Sequence, residues 1–465
     1  MTGDLATTLP LQSVGPFGGL LASIALAPMI NATFWRRHYG KIALFWALLT
    51  AVPFVALYRA DAAVAILHVY LADYMPFIIL LWGLYVVTGG IVLRGTLVGT
   101  PAINTLVLAV GSLMASFIGT TGASILLIRP LLRAIANRQS QAHTVIFFIF
   151  LVSNIGGTLT PLGDPPLFLG FLHGVPFTWP LRLAPEWAFT TAVLLSMYYV
   201  LDRHFYLHEP PEFHRAVKSP IKNRLRLYGG FNFLFLVGIA GSVLLSGVWK
   251  PGLQLRVGAA HLALQDAVRD LAILFIGLMS LRLTPWRYRV RNRFTWEAFR
   301  EVAVLFAGIF MTITPPLLIL SAGENGALGF LIRLCDSPMS YFWATGSLSA
   351  FLDNTPTYLA FFSSALGKLG LTEPLISEAL RTSPDQWHLL HGNPAALHTF
   401  EEALKGITTG AVFMGAMTYI GNAPNLMIKT IAEERGVRMP QFLGYMAWSI
   451  GLLVPIFLLM NLLFY

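Results

Sequence analysis

The stretch NIGGTLTPLGDPPLFLG, residues 154–170, interrupts one of the most apolar parts of the chain. It follows the run IFFIFLVS (146–153) and contains four glycines, three prolines and a single carboxylate, that of Asp164. Because proline cannot donate a backbone hydrogen bond and glycine weakens a helix, a helix that enters this stretch should break within it. In hydrocarbon, the freed peptide groups need partners from protein, water or an ion. The stretch therefore predicts a broken helix that offers oxygen atoms of Thr158, Thr160 and Asp164 to a hard cation.

The composition places this break in a membrane protein. The chain has 465 residues, of which 56% are hydrophobic and 11% charged, and its mean hydropathy is +0.67, whereas soluble domains carry about 25% charged residues. Several windows without a charged residue reach the roughly 17 to 25 residues that a membrane helix needs. The 33 Phe and the scarcity of alternating polar positions argue against an outer-membrane barrel. The predicted fold class is an all-α polytopic membrane protein.

Other features of the composition exclude alternatives. The net charge of +9 indicates membrane topology rather than nucleic-acid binding in such a protein. The single cysteine, Cys335, excludes an internal disulfide and a cluster of cysteine ligands. The first basic residue, Arg36, follows the first apolar window instead of preceding it, which favours a retained helix over a cleaved signal peptide.

The apolar segments form two halves with the same order of elements: three spans, a re-entrant hairpin, an interrupted span and a final span. The predicted units are a first half at 1–201 with its hairpin at 101–135 and broken helix at 143–180, a cytoplasmic linker at 202–227, and a second half at 228–465 with its hairpin at 338–366 and broken helix at 406–430. The predicted spans lie near 13–33, 41–58, 74–93, 143–180, 187–201, 228–248, 271–285, 301–320, 406–430 and 442–463.

The distribution of basic residues agrees with this topology. The segments predicted to face the cytoplasm hold 22 of the 31 Lys and Arg, as the positive-inside rule requires. Both termini are then outside, and the two halves have opposite orientations. The predicted inner segments are 36–41, 94–100, 129–142, 202–227, 282–300 and 429–440.

The two halves also align as sequences. Gly157, Thr160, Gly163, Asp164 and Pro166 match Gly415, Thr418, Gly421, Asn422 and Pro424 without a gap, and the hairpin tips FIGTTG (117–122) and FLDNTP (351–356) align as well. Inverted repeats with broken helices at matching positions are typical of secondary transporters that bind their substrate near the membrane midplane. A proline kink with a carboxylate near the interface is the alternative for Asp164 alone, but a kink does not require matching polar residues in both halves.

The carboxylates are placed asymmetrically in the two halves. The first half has a neutral tip at Gly119 and a charged break at Asp164, whereas the second has a charged tip at Asp353 and a neutral break at Asn422. An intramembrane carboxylate indicates function by default, although Asp353 could equally cap the returning helix. If each tip meets the broken helix of its own half, two sites with one carboxylate each result. The predicted sites are Thr120, Thr121, Thr160 and Asp164, and Asp353, Asn354, Thr418 and Asn422.

Three motifs carry a resemblance to a known family. SNIGGTLTPLGDPP (153–166), FLDNTP (351–356) and YIGNAPN (419–425) resemble the ion transporter superfamily of NhaD-type sodium:proton antiporters, arsenite permeases and citrate or dicarboxylate symporters, over nearly the whole chain. The closest match is the NhaD side, although the first tip has Gly119-Thr120 where those proteins tend to carry Asp-Asn. In the dicarboxylate branch, Ser-Asn-Thr tips receive substrate carboxylates, and Asn354-Thr355 resembles that element.

The resemblance implies a sodium or lithium:proton antiporter that works by alternating access, with Na⁺ or Li⁺ held at Asp164 and Asp353. The alternative is a sodium- or proton-coupled carrier of citrate, dicarboxylate or an oxyanion, labelled a citrate transporter in some relatives. Either kind of transporter would lie in the bacterial inner membrane and use no cofactor other than the sodium ion. Proteins with related folds are often dimeric, so a homodimer is a possible assembly. The full set of predicted ligands is Asn154, Asp164, Thr120, Thr121, Thr160, Asp353, Asn354, Thr355, Thr418, Asn422 and Asn425.

A membrane enzyme is the third possibility, from a different class. The sequence has no Ser-His-Asp order, His-Glu zinc motif or phosphate-binding loop, so an enzyme is not expected. His388, His391 and His398 lie in a polar segment with irregular spacing and are expected to be ordinary surface histidines.

Overall fold

The computed structural model describes residues 6–95, 97–210, 226–257, 260–333, 335–382, 384–390 and 393–465. These residues form 19 α-helices, with short 3-10 turns between some of them. In the first part of the chain the helices are α1 Gly15–Ile30, α2 Ala32–Val69, α3 Met75–Gly89, α4 Pro101–Ile118, α5 Thr120–Ala134, α6 Ala142–Leu151, α7 Pro165–Leu172 and α8 Ala184–Leu207. Those that follow are α9 Asn232–Val248, α10 Leu264–Leu283, α11 Trp286–Arg291, α12 Trp296–Ser321, α13 Gly329–Ile332, α14 Pro338–Ser349, α15 Asn354–Leu369, α16 Glu373–Ala379, α17 Pro394–Met414, α18 Ala423–Glu433 and α19 Phe442–Phe464.

The sequence did not predict the small amount of β-structure. Strands β1 (Val92–Arg94) and β2 (Arg226–Tyr228) pair antiparallel, as do β3 (Gln254–Val257) and β4 (Ala260–Ala263). These strands have three or four residues each, too few to give the period-two pattern that identifies a strand in a sequence. The predicted class, mostly helical with many apolar segments, is confirmed at that level.

Within the described residues, five helical stretches are long and apolar enough to cross a bilayer: Leu11–Pro28, Thr33–Gly89, Pro101–Ile118, Phe299–Ser321 and Phe442–Phe464. The second one differs from the predicted pair of spans at 41–58 and 74–93. The intervening segment is helical, apart from a non-helical Arg59 with φ 46°, and it leads through a π-helical turn, Tyr70–Tyr74, into α3. The segment after Arg59 is rich in alanine, which favours helix more strongly than its charged residues oppose it.

Both predicted hairpins are pairs of helices joined by a tight connection. Helices α4 and α5 meet at Gly119, whose φ of 83° is accessible to glycine without strain. Helices α14 and α15 are joined by residues 350–353. Side chains of Thr100, Ser337 and Asp353 cap the N-termini of α4, α14 and α15, as such residues do at helix starts.

The two proline-containing segments interrupt helical structure as predicted from their composition. Helix α6 ends at Leu151, and α7 starts only at Pro165. In the second half α17 ends at Met414, and α18 starts at Ala423. Both returning helices have proline in their first turn, where its missing N–H costs nothing. Residues 143–164 are all buried, so the first break lies in the interior of the molecule.

Segments predicted to lie on the same side of the membrane contact one another. On the predicted inner side, Arg138 binds Asp202 with 2.7 Å between Nη1 and Oδ1, and Arg293 pairs with Glu434. On the predicted outer side, Arg182 pairs with Glu401. The linker, predicted at 202–227, begins inside α8, and its residues 211–225 lie outside the described part of the chain.

Candidate functional site

Four helices start at one buried point, and each contributes a side chain from its first residue or the residue before it. Thr120 begins α5, Asp164 precedes α7, Asn354 begins α15 and Asn422 precedes α18. Their exposed fractions lie between 0% and 3%. The N-terminus of a helix carries partial positive charge. The four termini therefore present partial positive charge to Asp164, the one carboxylate of this set.

The first hairpin is fixed to the first break by backbone and hydroxyl hydrogen bonds. The N–H of Thr120 donates to the carbonyl of Gly163 over 2.8 Å, and the Thr160 hydroxyl donates to the carbonyl of Ser116. Gly163 itself must be glycine, because a Cβ there would lie 2.1 Å from the oxygen of Gly157. These contacts hold the tip of the hairpin against the carboxylate.

Asp164 accepts hydrogen bonds from both halves of the chain. Oδ1 accepts from the Thr120 hydroxyl at 3.0 Å and from Nδ2 of Asn422 at 3.3 Å. Oδ2 accepts from Nδ2 of Asn354. All three donors are neutral. None of the ion pairs between described residues includes Asp164, so no Lys, Arg or His is paired with it. A buried carboxylate with neutral donors alone needs a proton or a cation to balance its charge.

A chain of amides connects Asp164 to the second break. Nδ2 of Asn422 lies 3.2 Å from Oδ1 of Asn154, and Nδ2 of Asn154 donates to Oδ1 of Asn425 over 2.7 Å. Asn425 in turn donates to the carbonyls of Gly415 and Thr418. The predicted ligands Asn154 and Asn425 are thus brought together with Asp164, and they also satisfy the backbone carbonyls that the break leaves free.

The second half repeats the scaffold but places its carboxylate differently. The Thr418 hydroxyl donates to the carbonyl of Ala350, as Thr160 does to Ser116. Asp353 accepts from the N–H of Thr355 at 3.0 Å as the cap of α15, and the Thr355 hydroxyl lies 3.4 Å from Oδ1 of Asn354. The capping role considered for Asp353 is therefore present in the structure.

The hydrogen bonds differ from the predicted pair of separate sites. Each tip does meet the break of its own half, but Asn354 and Asn422 of the second half both donate to Asp164 of the first. One shared set of contacts around Asp164 replaces two independent ones. Thr121 follows Thr120 in the first turn of α5 and is half-buried. The sequence could not show this, because the pairing across halves depends on how two helix breaks face each other in space.

The arginines in or beside the two hairpins, Arg129 and Arg333, do not pair with Asp164. Arg129 sits in the last turns of α5, well away from its Thr120 end, and donates to the carbonyl of Asn292, while Arg333 is exposed. His388 and His398 are exposed as well, and His391 falls outside the described residues. Among the described residues no group of three or more His, Cys, Asp or Glu could hold a metal ion.

The family is decided by comparison with protein-family models. Residues 6–465 match CitMHS_2, the model described as "Putative citrate transport". The chain belongs to this family. A search of curated proteins finds no match. Membership of this citrate transport family, together with the apolar helices, makes the chain an integral membrane protein and a secondary transporter.

Sequence reasoning missed several polar residues around this transporter's site. Ser116 donates to the carbonyl of Gly156 and accepts from the N–H of Leu159, and Ser153 binds Ser124 with 2.9 Å between hydroxyl oxygens. Serines within apolar runs are common, so their spacing gave no signal. A second missed group, around His173, could have been found because its members are ionisable residues beside predicted membrane segments.

Proposed function

We propose that this transporter is a sodium or lithium:proton antiporter that works by alternating access. The observation that supports this most directly is the environment of Asp164, a carboxylate 1% exposed with three neutral side-chain donors and no cationic partner among the described ion pairs. Its charge can be balanced by a proton or by a small cation, and occupancy by one excludes the other. That competition at one group is the physical requirement for exchange.

The closed geometry also supports alternating access. Thr120, Asp164, Asn354 and Asn422 are all buried, so an ion reaches Asp164 only if surrounding elements move. The donors come from both halves, and a relative displacement of the halves would change the number of contacts to Asp164. Exposure of the site to one side at a time then follows from movement of the hairpins and breaks against the outer spans. The proposed location is the bacterial inner membrane, as the family resemblance implies, with both termini outside, as the charge distribution predicts.

A second candidate, citrate or dicarboxylate transport coupled to sodium or protons, is favoured by the family description and by the four converging helix N-termini. Such termini bind anions readily. The fixed charge of Asp164 in their midst opposes an incoming anion unless a cation or proton neutralises it first. Coupling to a cation would therefore be obligatory in this version.

Proteoliposomes with a trapped pH dye distinguish these functions. We expect Na⁺ or Li⁺ gradients to change the internal pH, with K⁺ much weaker, and Asp164→Asn to abolish the response. Asp61→Asn, a matched change at an exposed aspartate of α2, should retain it. Labelled citrate or succinate uptake that requires Na⁺, with no proton movement driven by Na⁺ alone, would overturn antiport in favour of the symporter.

A further inference from the structure

A second group of ionisable residues lies around His173, at the end of α7 opposite to Asp164. Its imidazole stands between two carboxylates: Nδ1 lies 2.7 Å from Oε1 of Glu373, and Nε2 lies 3.4 Å from Oδ1 of Asp73. Asp73 is 4% exposed, whereas about half of the Glu373 side chain is exposed. The group therefore reaches from the interior to the surface.

The three residues belong to three separate elements. His173 is the C-cap of α7, Asp73 lies in the π-helical turn between α2 and α3, and Glu373 begins α16. The first two elements are in the first half and the third is in the second half. All three segments lie toward the side that the charge distribution predicts to be outside. His173 thus fixes α7 to both halves at that surface.

Helix α7 connects this group to the candidate ion site. It has eight residues, with Asp164 preceding it and His173 following it, so the two groups are about 13 Å apart along its axis. Since α7 starts at the break, a displacement of its His173 end also displaces the backbone that carries Asp164. Tyr358 and Phe362 of α15 pack beside it, near Gly170 and the His173 ring.

The chemistry of the group favours a doubly protonated, charged ring. Nδ1 hydrogen-bonds to Glu373, whereas Nε2 lies 3.4 Å from Asp73 without a hydrogen bond. Only imidazolium carries a proton on both nitrogens and is attracted to both carboxylates. Besides Glu373 and Asp73, the ionisable group that faces these carboxylates is His68 in the last turn of α2. Burial alone would raise the pKa of Glu373, but the neighbouring His173 lowers it below the ordinary value.

We propose that His173, Asp73 and Glu373 form a second proton site that holds the outer end of α7 closed when the ring is protonated and releases it when the ring is neutral. Loss of one proton leaves either Asp73 or Glu373 facing a nitrogen lone pair, which turns an attraction into a repulsion. The buried Asp73 has the least access to water, so this repulsion favours separation of α7 from its neighbours. Low external pH then keeps the transporter closed on that side, and high external pH allows opening.

This proposal rests on the proposed function only in that α7 moves during transport, so a distance measurement tests it separately. Spin labels at Thr178→Cys and Glu378→Cys, both exposed positions, would report the gap between the segment after α7 and α16 in a Cys335→Ser background. We expect one short, narrow distance at about pH 6 and a longer, broader distribution at about pH 10.5, because the two neighbouring carboxylates favour the protonated ring and shift its titration above that of a free histidine. An unchanged distribution would overturn the proposal.

Three variants locate the titrating group. His173→Gln should give the longer, broader distribution at both pH values, and Glu373→Gln should move the midpoint of the change to lower pH. His208→Gln, at an exposed histidine of the opposite predicted side, should respond as the parent does. A pH response that survives in His173→Gln would refute the assignment. If Asp164→Asn still transports while the His173 response is present, the proposed function fails and the second proton site stands.

Discussion

The broken segments of the two halves, 152–164 and 415–422, share a scaffold and differ in charge. In both, a threonine donates to a carbonyl of its own hairpin: Thr160 to Ser116 and Thr418 to Ala350. At the residue before the returning helix, the first break has Asp164 and the second has Asn422, joined by a hydrogen bond of 3.3 Å. The repeated hydroxyls fix the geometry twice, while the charged position occurs once.

This difference indicates what each part of the repeat does. If both breaks served as independent ion sites, each would need its own source of negative charge within contact distance. Instead the amide of Asn422 donates to Asp164, so the second break supplies a donor to the charge of the first. The hydroxyl contacts are present in both halves, whereas a carboxylate stands before the returning helix in the first half alone.

Exchange of the two residues is the change with the largest expected effect on this comparison. Asp164→Asn alone removes the carboxylate of the shared contacts, so it should abolish the sodium-driven pH change and weaken sodium binding by about 100-fold, since contacts to a charged group contribute about 3 kcal/mol. Adding Asn422→Asp returns a carboxylate within 3.3 Å of the original position. The double variant should recover roughly a tenth or more of the lost affinity, for the same reason. Sodium-driven pH change in proteoliposomes measures both.

The control for the exchange is Asn422→Asp alone, which places two carboxylates in contact and should bind protons more tightly than the parent. Its response to sodium should therefore appear only at higher pH. If the double variant transports no better than Asp164→Asn, the position of the charge in the first half matters in itself, and the two breaks are not interchangeable.

Much of the fold could be predicted from the sequence because its causes are local. The clusters of proline and glycine at 156–166 and 415–424 interrupt helices, whereas single prolines such as Pro53 and Pro130 lie inside helices. The absence of charge in long windows indicates membrane helices. The helical segment after Arg59 was not predicted, because Arg59 and Asp61 interrupt the apolar run and an alanine-rich sequence with such charges is compatible with loop or helix. Strands of three or four residues, such as β1, give no periodic signal.

The residues that meet at Asp164 were predictable from the sequence as candidate ligands, but their arrangement was not. Polar residues at breaks in apolar segments are costly unless they have a structural or functional role. This identified Asp164, Asn354, Asn422 and Thr120. Their meeting at one carboxylate depends on the packing of the two halves, which no local pattern encodes. The members of the His173 group could have been noticed as ionisable residues beside predicted membrane segments, but their contact with one another could not, because they are far apart in the chain.

Asp353 gives the next, smaller effect, because the structure uses its carboxylate as a helix cap. Asp353→Asn keeps the cap, since asparagine and aspartate are about equally good there, whereas Asp353→Ala should cost about 1 kcal/mol of stability. We expect the ratio of sodium ions to protons to stay unchanged in Asp353→Asn, as determined from the pH gradient that a known sodium gradient sustains. A changed ratio would make Asp353 a second ion ligand and restore the pair of separate sites.

The smallest expected effect concerns the hydroxyls that the two halves share. Thr160→Val and Thr418→Val each leave a buried carbonyl without its donor, which should cost about 1 to 3 kcal/mol. Thr418 should cost more, because its hydroxyl oxygen also accepts from the N–H groups of Ile420 and Gly421, whereas that of Thr160 accepts from Leu162 alone among the described residues. Thermal unfolding in detergent measures both against Thr399→Val, whose exposed hydroxyl bonds within its own helix and should matter by less than about 0.5 kcal/mol. Equal, small losses of stability with unchanged selectivity for sodium would mean that the hydroxyls only hold each hairpin to its break. A selective loss of sodium transport in Thr418→Val would instead give the second break an ionic role of its own.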